Sequence, residues 1–316
     1  MNTEFFWDRM SERRDETVHA LRDGKTPHII RFAMHLTSLC NLRCTYCREG
    51  HRGGIMDREF FRMIAYRAGK EGILHITGGE PMIVPWLQDE IEALQGITRF
   101  ALNTNLTIRP RDTVLAGLFR VKSSLDDYNA DRWNALTGRK VFTDVCTNIR
   151  YVSKHVKYTS VSYTATHQNA HRVEKFIDFC RREFPDLYSV SISFFKGQSE
   201  MALQPADIES IFKACEQLDP VSKQVFLETH SLEGNYFPNN LEIPCYLSMT
   251  ERLYDWRGIE FYCSHMFRDK VEPPGKPGKE QCCVTGCNSR FNRFNKEIYK
   301  LLQEEASHRE SSTTIQ

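Results

Sequence analysis

Three cysteines, Cys40, Cys44 and Cys47, lie within the segment LCNLRCTYC, residues 39–47. Cysteine thiolates at such short spacing are typical of a metal ion or an iron–sulfur cluster. A closed tetrahedral site needs four ligands, so this segment leaves one coordination position unfilled. The identity of the missing ligand therefore decides what chemistry the segment can support.

Two kinds of metal site are compatible with three cysteines here. A zinc ion could be completed by His35 or His51, although zinc sites more often use paired C-x2-C motifs. A [4Fe–4S] cluster could instead be held by three thiolates, with one iron left open to bind a small molecule. The neighbouring motifs have to decide between these alternatives.

The segment TGGEP, residues 77–81, comes after the cysteine segment, one predicted helix and one predicted strand further along the chain. Gly78 and Gly79 allow a backbone to approach a ligand closely. Glu80 offers a carboxylate to an ammonium group, and Pro81 fixes the exit from the turn. By itself this motif more often indicates a tight turn.

Together the two motifs resemble the radical S-adenosylmethionine (SAM) superfamily, whose hallmark is C-x3-C-x-Φ-C with an aromatic Φ, here Tyr46. The resemblance covers about residues 28–195. It implies that Cys40, Cys44 and Cys47 hold a [4Fe–4S] cluster whose open iron is chelated by SAM. The missing ligand is then the cosubstrate.

The same resemblance implies a set of SAM-contacting residues. Tyr46 would lie against the adenine, and the motif at residues 78–80 would bind the methionine amino group. Polar residues at the ends of the third and fourth predicted strands, in LNTN and SSLD, would contact SAM or substrate, although they could equally cap those strands. The residues that we expect to bind the cofactor are Tyr46, Gly78, Gly79, Glu80, Asn105, Ser124 and Asp126.

Five of the eleven cysteines lie in a second group near the C-terminus. Cys245 and Cys263 form a C-x12-G-x4-C pattern with Gly258, and CCVTGC follows at residues 282–287. This pattern resembles the twitch and SPASM extensions of radical SAM enzymes, which bind auxiliary iron–sulfur clusters. Five cysteines suit the shorter twitch type with one cluster, and a four-cysteine zinc site is the alternative.

An auxiliary [4Fe–4S] cluster held entirely by protein needs four thiolates. The expected ligands are Cys245, Cys263, Cys283 and Cys287, although Cys282 could replace its neighbour Cys283. One thiol of the vicinal pair is then left over. It could donate a hydrogen atom to a substrate radical, but a free cysteine is more often a small buried apolar residue or a substitute ligand. Cys146, Cys180 and Cys215 lie in helix patterns, which predicts that they belong to the core.

Short apolar strands alternate with longer amphipathic helices along most of the chain, which indicates βαβ units and a parallel sheet. Strands are expected at 28–36, 73–77, 97–103, 119–125, 158–166 and 188–195. Helices are expected at 4–22, 57–72, 85–96, 111–118, 128–155, 169–183, 205–217 and 291–307. Six such units are too few for an eight-stranded barrel, and the resemblance implies a partial (β/α)6 barrel in the α/β class.

The predicted organisation has four parts. Residues 1–27 form an N-terminal helix, and residues 28–217 form the radical SAM barrel. Residues 218–290 form the twitch- or SPASM-like extension, including a hairpin strand at RGIEFYC. Residues 291–316 add a C-terminal helix and a disordered tail.

Composition excludes several classes of protein. Among 316 residues, 41% are hydrophobic and 26% are charged, as in ordinary globular proteins. With 42 basic and 41 acidic side chains, the net charge of +1 argues against a nucleic-acid-binding protein. No apolar run is long enough for a membrane span, and the N-terminus carries no apolar signal core. These features predict a cytoplasmic location, where eleven cysteines are more suited to metal sites than to disulfides.

The resemblance implies that SAM is cleaved to a 5′-deoxyadenosyl radical, with a flavodoxin- or ferredoxin-type electron donor. An auxiliary cluster without an open iron suits electron transfer, and hence oxidation. Only 27 residues precede the first strand, too few for a leader-peptide-binding module, which favours a small sugar- or aminocyclitol-like substrate that is dehydrogenated or epimerised. Peptide maturation is the first alternative, and a non-catalytic metal-binding scaffold is the second. Polar groups near the strand ends that could serve an alcohol substrate are Asp126, Asp127, His167 and Lys196.

Overall fold

The structure is a computed structural model. It describes residues 14–47, 53–69, 72–195, 199–216, 225–227, 243, 245–262 and 294–304. His51, Lys196, Cys263, Cys282, Cys283 and Cys287 lie outside these ranges, as do residues 1–13 and the predicted tail. None of the described helices is both long and apolar enough to cross a membrane.

Helices and strands alternate through most of the chain. The strands are β1 (Arg31–His35), β2 (Ile73–Thr77), β3 (Arg99–Thr104), β4 (Leu118–Ser124), β5 (Tyr158–Ala165), β6 (Ser189–Phe194), β7 (Val225–Leu227), β8 (Glu251–Tyr254) and β9 (Glu260–Phe261). The helices are α1 (Arg14–Arg22), α2 (Arg58–Ala68), α3 (Leu87–Ala93), α4 (Asp112–Gly117), α5 (Ala130–Thr137), α6 (Phe142–His155), α7 (Val173–Glu183), α8 (Pro205–Glu216), α9 (Leu247–Thr250) and α10 (294–304). Short 3-10 turns occupy Pro81–Ile83 and Ala170–Arg172.

The chain divides into two compact units. The larger unit comprises Ala33–Ser231 and Tyr254–Ile259, and the smaller one comprises the remainder. In the smaller unit, Val18 of α1 packs with Ile30, Tyr246, and Phe294 and Ile298 of α10 in one buried apolar cluster. The two terminal helices therefore share a single core.

The larger unit is built on a sheet whose strands follow chain order, β1 to β7. Every neighbouring pair from β2–β3 to β6–β7 is parallel, with registers such as His75 opposite Ala101 and Val161 opposite Val190. Strands in chain order with a helix after nearly every strand give repeated crossovers of one hand, as in a barrel. The expected α/β class and partial-barrel fold are confirmed.

The helices form where caps and apolar spacing predict them. In α2, the Asp57 side chain accepts a hydrogen bond from Phe60 N at 2.8 Å, and the helix ends at Gly69 with φ 56°. The buried face of α2 carries Phe61, Ile64, Ala65 and Ala68. The Phe61 ring stacks at 6.4 Å on Phe100 of β3, so this helix covers the middle of the sheet.

One expected helix differs from the structure, and one strand was not expected. The helix expected over 128–155 is two helices, because Gly138 adopts left-handed φ 71° and ends α5. All six expected strands are present, and β7 adds a further strand that pairs in parallel with β6 after α8. A strand of three residues is too short to produce a readable alternation of side chains.

Packing of Phe61 under the sheet predicts a large loss of stability on truncation. Phe61 is fully buried, and we expect Phe61→Ala to lower the free energy of unfolding by about 3–5 kcal/mol. Met63, on the same helix, is 54% exposed, so Met63→Ala should change it by less than about 0.5 kcal/mol. Urea unfolding followed by circular dichroism measures both, and equal losses would contradict the packing described.

Candidate functional site

The loop that carries the three cysteines leaves β1 and is fixed at both ends. At its start, Leu36 N donates to Thr77 O at 2.9 Å, and the chain returns with Met56 N donating to Leu36 O at 2.8 Å. Thr37 pairs with Ile55 in an antiparallel bridge, and its hydroxyl donates to Gly54 O at 2.8 Å. The loop is therefore closed at its base like a hairpin.

The end of α5 holds the middle of this cysteine loop. Arg43 N donates to Thr137 O at 2.8 Å, and Thr45 N donates to Leu136 O at 3.0 Å. These carbonyls are the acceptors that a helix leaves free at its C-terminus. Two bonds to a fixed helix end thus set the positions of the cysteines on either side.

A cavity of about 220 Å³ opens beside the cysteine loop. It brings together all three loop cysteines and six of the seven predicted cofactor-binding residues. The lining is Cys40, Leu42, Cys44, Tyr46, Cys47, Thr77, Gly78, Gly79, Asn103, Thr104, Asn105, Ser124, Asp126, Trp133 and Thr137. The loop after β1 and the carboxyl ends of β2, β3 and β4 therefore converge on one site, as parallel α/β sheets require.

Gly78 and Gly79 lie against the backbone of the cysteine loop. A Cβ at Gly79 would stand 2.2 Å from Leu39 O, and one at Gly78 would stand 2.6 Å from Thr37 O. Gly79 N donates to Thr37 O at 2.6 Å, and Glu80 N donates to Leu39 O at 2.9 Å. Any side chain at either glycine would push the two segments apart, so both positions require glycine.

Glu80 lies behind the cavity wall, fully buried. Its carboxylate accepts hydrogen bonds from Met82 N at 2.9 Å, Thr104 Oγ1 at 2.7 Å and Asn105 N at 2.6 Å. Burial raises the pKa of Glu80 to about 7, and the three donors partly offset that rise. The expected contact between Glu80 and the SAM amino group stays a prediction. In the structure, the Glu80 carboxylate is hydrogen-bonded to the end of β3.

The three thiols are half-buried around the cavity. Burial raises the pKa of Cys44 to about 12 and also raises that of Cys40. Cys40 Sγ accepts from Leu42 N at 3.4 Å and from Asn105 Nδ2 at 3.7 Å. N–H donors directed at sulfur suit the negative charge of a cluster-bound thiolate, so these residues fit an iron–sulfur cluster.

The described side chains do not form a site for a single metal ion. In the described part of the chain, no three His, Cys, Asp or Glu side chains are grouped as ligands of one metal ion. A [4Fe–4S] cluster has no need of such a group, because each thiolate binds a different iron.

Tyr46 connects the cysteine loop to the end of β4. Its hydroxyl donates to Asp126 Oδ2, and Thr164 N donates to Asp126 Oδ1 at 2.6 Å. Burial raises the pKa of Asp126 to about 6. The carboxylate at the cavity is therefore held from two sides, by the aromatic residue of the cysteine motif and by β5.

Two other polar groups expected near the strand ends are engaged elsewhere. Asp127 accepts from Arg132 Nε at 2.9 Å and from Arg172 at 3.0 Å, which makes it a buried structural ion pair. His167 Nδ1 lies 2.7 Å from Asp207 Oδ2, and the imidazole is partly exposed. Neither residue belongs to the cavity lining.

Sequence reasoning missed the contribution of α5. Trp133, which is 1% exposed, and Thr137 line the cavity from this helix. Asn129 caps the start of α5 by accepting from Arg132 N at 3.1 Å, and Gly138 ends it. Those two capping signals could have separated α5 from α6 and drawn attention to its short inner face.

Trp256 was also missed. It lies over the returning arm of the cysteine loop, where a Cβ at Gly54 would come within 2.6 Å of its ring. Gly53 has φ 137°, a conformation open to glycine, and its Cβ position is 3.0 Å from Trp256 Nε1. This tryptophan therefore packs closely against both glycines of the returning arm.

The remaining described cysteines lie away from the cavity lining. Cys146 and Cys180 are buried and Cys215 is half-buried. Cys245, an expected auxiliary-cluster ligand, is half-buried in the smaller unit, where Asn295 Nδ2 donates to its sulfur at 3.7 Å. The other expected ligands, Cys263, Cys283 and Cys287, and the spare-thiol candidate Cys282 lie outside the described residues.

The residues that form this site match a known protein family. Residues 34–180, which carry the cysteine loop and the cavity lining, match the Radical SAM superfamily. These residues therefore form a radical SAM domain. The cofactors of the superfamily, SAM and a [4Fe–4S] cluster, accordingly apply to the site described above.

Curated relatives cover only part of the chain. GTP 3′,8-cyclase of Heliobacterium modesticaldum is 38% identical over 138 residues, which is 39% of this chain and 41% of the relative. The enzyme of the same name from Geobacter sulfurreducens is 37% identical over 119 residues, 33% of this chain and 36% of the relative. The chain thus spans about two fifths of the length of the relatives it matches.

Solved structures resemble the chain over most of its length. Streptococcus suis SuiB matches with a TM-score of 0.64 at 15% identity, covering 89% of this chain and 69% of SuiB. The protein anSMEcpe with bound AdoMet matches with a TM-score of 0.60 at 18% identity, covering 86% of this chain and 84% of that one. At these identities the resemblance is one of fold.

The buried carboxyl of Glu80 predicts a dependence of stability on pH. The folded chain keeps its proton to about pH 7, whereas the unfolded chain loses it near the ordinary value of 4.5. The stabilisation is therefore complete below the lower value and is lost as the pH rises through the upper one. Between ~pH 5 and ~pH 8 we expect Glu80 to remove roughly 2–3 kcal/mol from the free energy of unfolding.

Urea unfolding at the two pH values tests this dependence. Glu80→Gln should lose the Glu80 share of the pH dependence, because the amide does not titrate. Glu59→Gln, at a position whose side chain is 74% exposed on α2, should keep the behaviour of the parent protein. A Glu80→Gln variant with the parent's full pH dependence would contradict the buried, raised-pKa carboxyl.

Proposed function

We propose that this chain is a radical SAM enzyme that cleaves SAM reductively and removes a hydrogen atom from its substrate. The observation that carries the proposal is the convergence of Cys40, Cys44 and Cys47 with Gly78 and Gly79 on one cavity. A non-catalytic scaffold would have no use for a cavity shared by the cysteine loop and the glycine turn. The domain match to the superfamily supports the same activity.

When bound, the reduced cluster supplies the electron that cleaves SAM to methionine and a 5′-deoxyadenosyl radical. In this proposal Cys40, Cys44 and Cys47 would hold that cluster beside the cavity that they line. The segment of residues 78–80 keeps the cysteine loop at a fixed distance from β2. In this proposal it also offers backbone polar groups to the amino acid portion of SAM.

Tyr46, Ser124 and Asp126 orient the rest of the cosubstrate in this proposal. Tyr46 is held by its hydrogen bond to Asp126, so its ring is fixed for stacking on the adenine. Ser124 and Asp126 present an exposed hydroxyl and a held carboxylate at the end of β4, where ribose hydroxyls could be bound. A ligand that fills this cavity also keeps water from the reacting carbon.

For the substrate, we propose a small molecule with an oxidisable alcohol, sugar- or aminocyclitol-like, giving dehydrogenation or epimerisation. The curated relatives are named for a reaction of GTP, a small molecule with a ribose, which favours this class over a peptide. A peptide substrate remains the alternative, since SuiB has been crystallised with the precursor peptide SuiA. A flavodoxin- or ferredoxin-type protein is the proposed electron donor.

We further propose that the C-terminal cysteines bind an auxiliary [4Fe–4S] cluster through Cys245, Cys263, Cys283 and Cys287. Support comes from the C-x12-G-x4-C pattern and from Asn295 Nδ2, which donates to Cys245 Sγ. A cluster with four protein ligands would accept an electron from the substrate radical. Cys282, left without an iron in this assignment, is the proposed hydrogen donor if the reaction is an epimerisation.

Production of 5′-deoxyadenosine tests the proposed activity. After anaerobic reconstitution, the protein with SAM and dithionite should form 5′-deoxyadenosine, and Cys40→Ala, Cys44→Ala and Cys47→Ala should each abolish it. Cys215→Ala is the matched control, because Cys215 lies in α8 outside the cavity lining and should leave turnover intact. Parent protein that binds iron but makes no 5′-deoxyadenosine would contradict the proposal.

The same assay compares the substrate classes. GTP, aminocyclitols or peptides are added in turn, and the classes are ranked by how much each increases 5′-deoxyadenosine formation.

Iron and labile sulfide counts test the auxiliary cluster separately. The parent protein should hold about eight irons, and the triple variant Cys40→Ala/Cys44→Ala/Cys47→Ala should keep about four. Cys245→Ala should instead lose the auxiliary irons and keep those of the cysteine loop. About four irons in the parent, nearly none in the triple variant and zinc in both would assign a structural zinc site to the C-terminal cysteines.

A further inference from the structure

The side chain of Asn105, at the end of β3, has its whole hydrogen-bonding capacity in use. Its Nδ2 donates to Asn41 Oδ1 at 2.9 Å and to Cys40 Sγ at 3.7 Å. Its Oδ1 accepts from Thr107 N at 2.9 Å and from Thr107 Oγ1 at 2.7 Å. A side-chain amide has two N–H donors and two acceptor positions, and all four have partners here.

The orientation of this amide is fixed by its surroundings. Thr107 N can only donate, so the oxygen of Asn105 must face it and the nitrogen must face Cys40. Asn41 Nδ2 also donates to Thr107 Oγ1 at 2.7 Å, which closes a ring of three side chains beside the first cysteine. The donor directed at the sulfur is therefore held in place and is not free to rotate towards a ligand.

The backbone under Asn105 is equally constrained. Asn105 N donates to the buried carboxylate of Glu80 at 2.6 Å. The next residue, Leu106, adopts φ 50°, which a bulky side chain rarely does, and its carbonyl accepts from Asn148 Nδ2 at 2.8 Å. Strained backbone that is held by its neighbours commonly marks a position where geometry matters for function.

We infer that Asn105 is a positioning residue that acts through Cys40: its amide N–H stabilises the reduced state of the cluster at the cysteine loop. A donor to a ligand sulfur favours the more negative, reduced cluster and so raises its reduction potential. This inference rests on the proposed function, since it presumes a cluster on Cys40. It departs from the contact with SAM that the strand-end position suggested, because the amide has no hydrogen-bonding group left for SAM.

Redox titration of the reconstituted protein, followed by electron paramagnetic resonance without SAM, measures the effect. Asn105→Leu removes the donor with little change in size and adds no charge. We expect its reduction equilibrium constant to fall on the order of tenfold, about 59 mV for one electron, with the SAM dissociation constant unchanged within about twofold. Asn134→Leu is the matched control, because the Asn134 side-chain oxygen accepts from the backbone N–H groups of Val141 and Phe142, away from the three cysteines, and its loss should leave the potential unchanged.

A second variant tests the inference if Asn105→Leu does not assemble the cluster. Thr107→Val keeps Asn105 but removes the hydroxyl that holds its amide, so the potential should fall by less than in Asn105→Leu. An unchanged potential in both variants, or a tenfold loss of SAM affinity at constant potential, would overturn the inference. Failure of the proposed function looks different, because the parent protein itself would then lack the cluster or would not cleave SAM.

Discussion

The close approach of two backbones is the constraint on which the cofactor site depends. Gly78 and Gly79 press the turn after β2 against Thr37 and Leu39, at distances that leave no space for a Cβ. Two hydrogen bonds across this contact hold the cysteine loop to the sheet. A loop fixed in this way can present three thiols at constant spacing, whereas a loop free to move would pay an entropic cost to bind a cluster.

Glu80 extends the constraint from β2 to β3. A buried carboxylate is costly, and three donors offset part of that cost. Two of these donors come from Thr104 and Asn105, so the carboxylate joins the turn after β2 to the end of the next strand. Glu80, whose type suggests a ligand contact, thus has structural partners, and one of them, Asn105, also donates to Cys40 Sγ.

The cavity lies within the part of the chain that matches a known superfamily. The superfamily match ends at residue 180, and the curated relatives are similar over about two fifths of their length. The cavity lining falls entirely within residues 40–137. The residues that match the superfamily therefore include the whole lining of the cavity.

The amino-acid sequence by itself determined the α/β class, the strand alternation and the cysteine loop, because these depend on local spacing and on side-chain period. It also indicated the residues that gather at the cavity, since parallel strands end at one edge of a sheet. Only the tertiary structure decided that Glu80 faces inward, that Asn105 serves a thiol, and that Trp133 completes the wall. These outcomes depend on which donors meet which acceptors across distant segments, and no local pattern encodes that pairing.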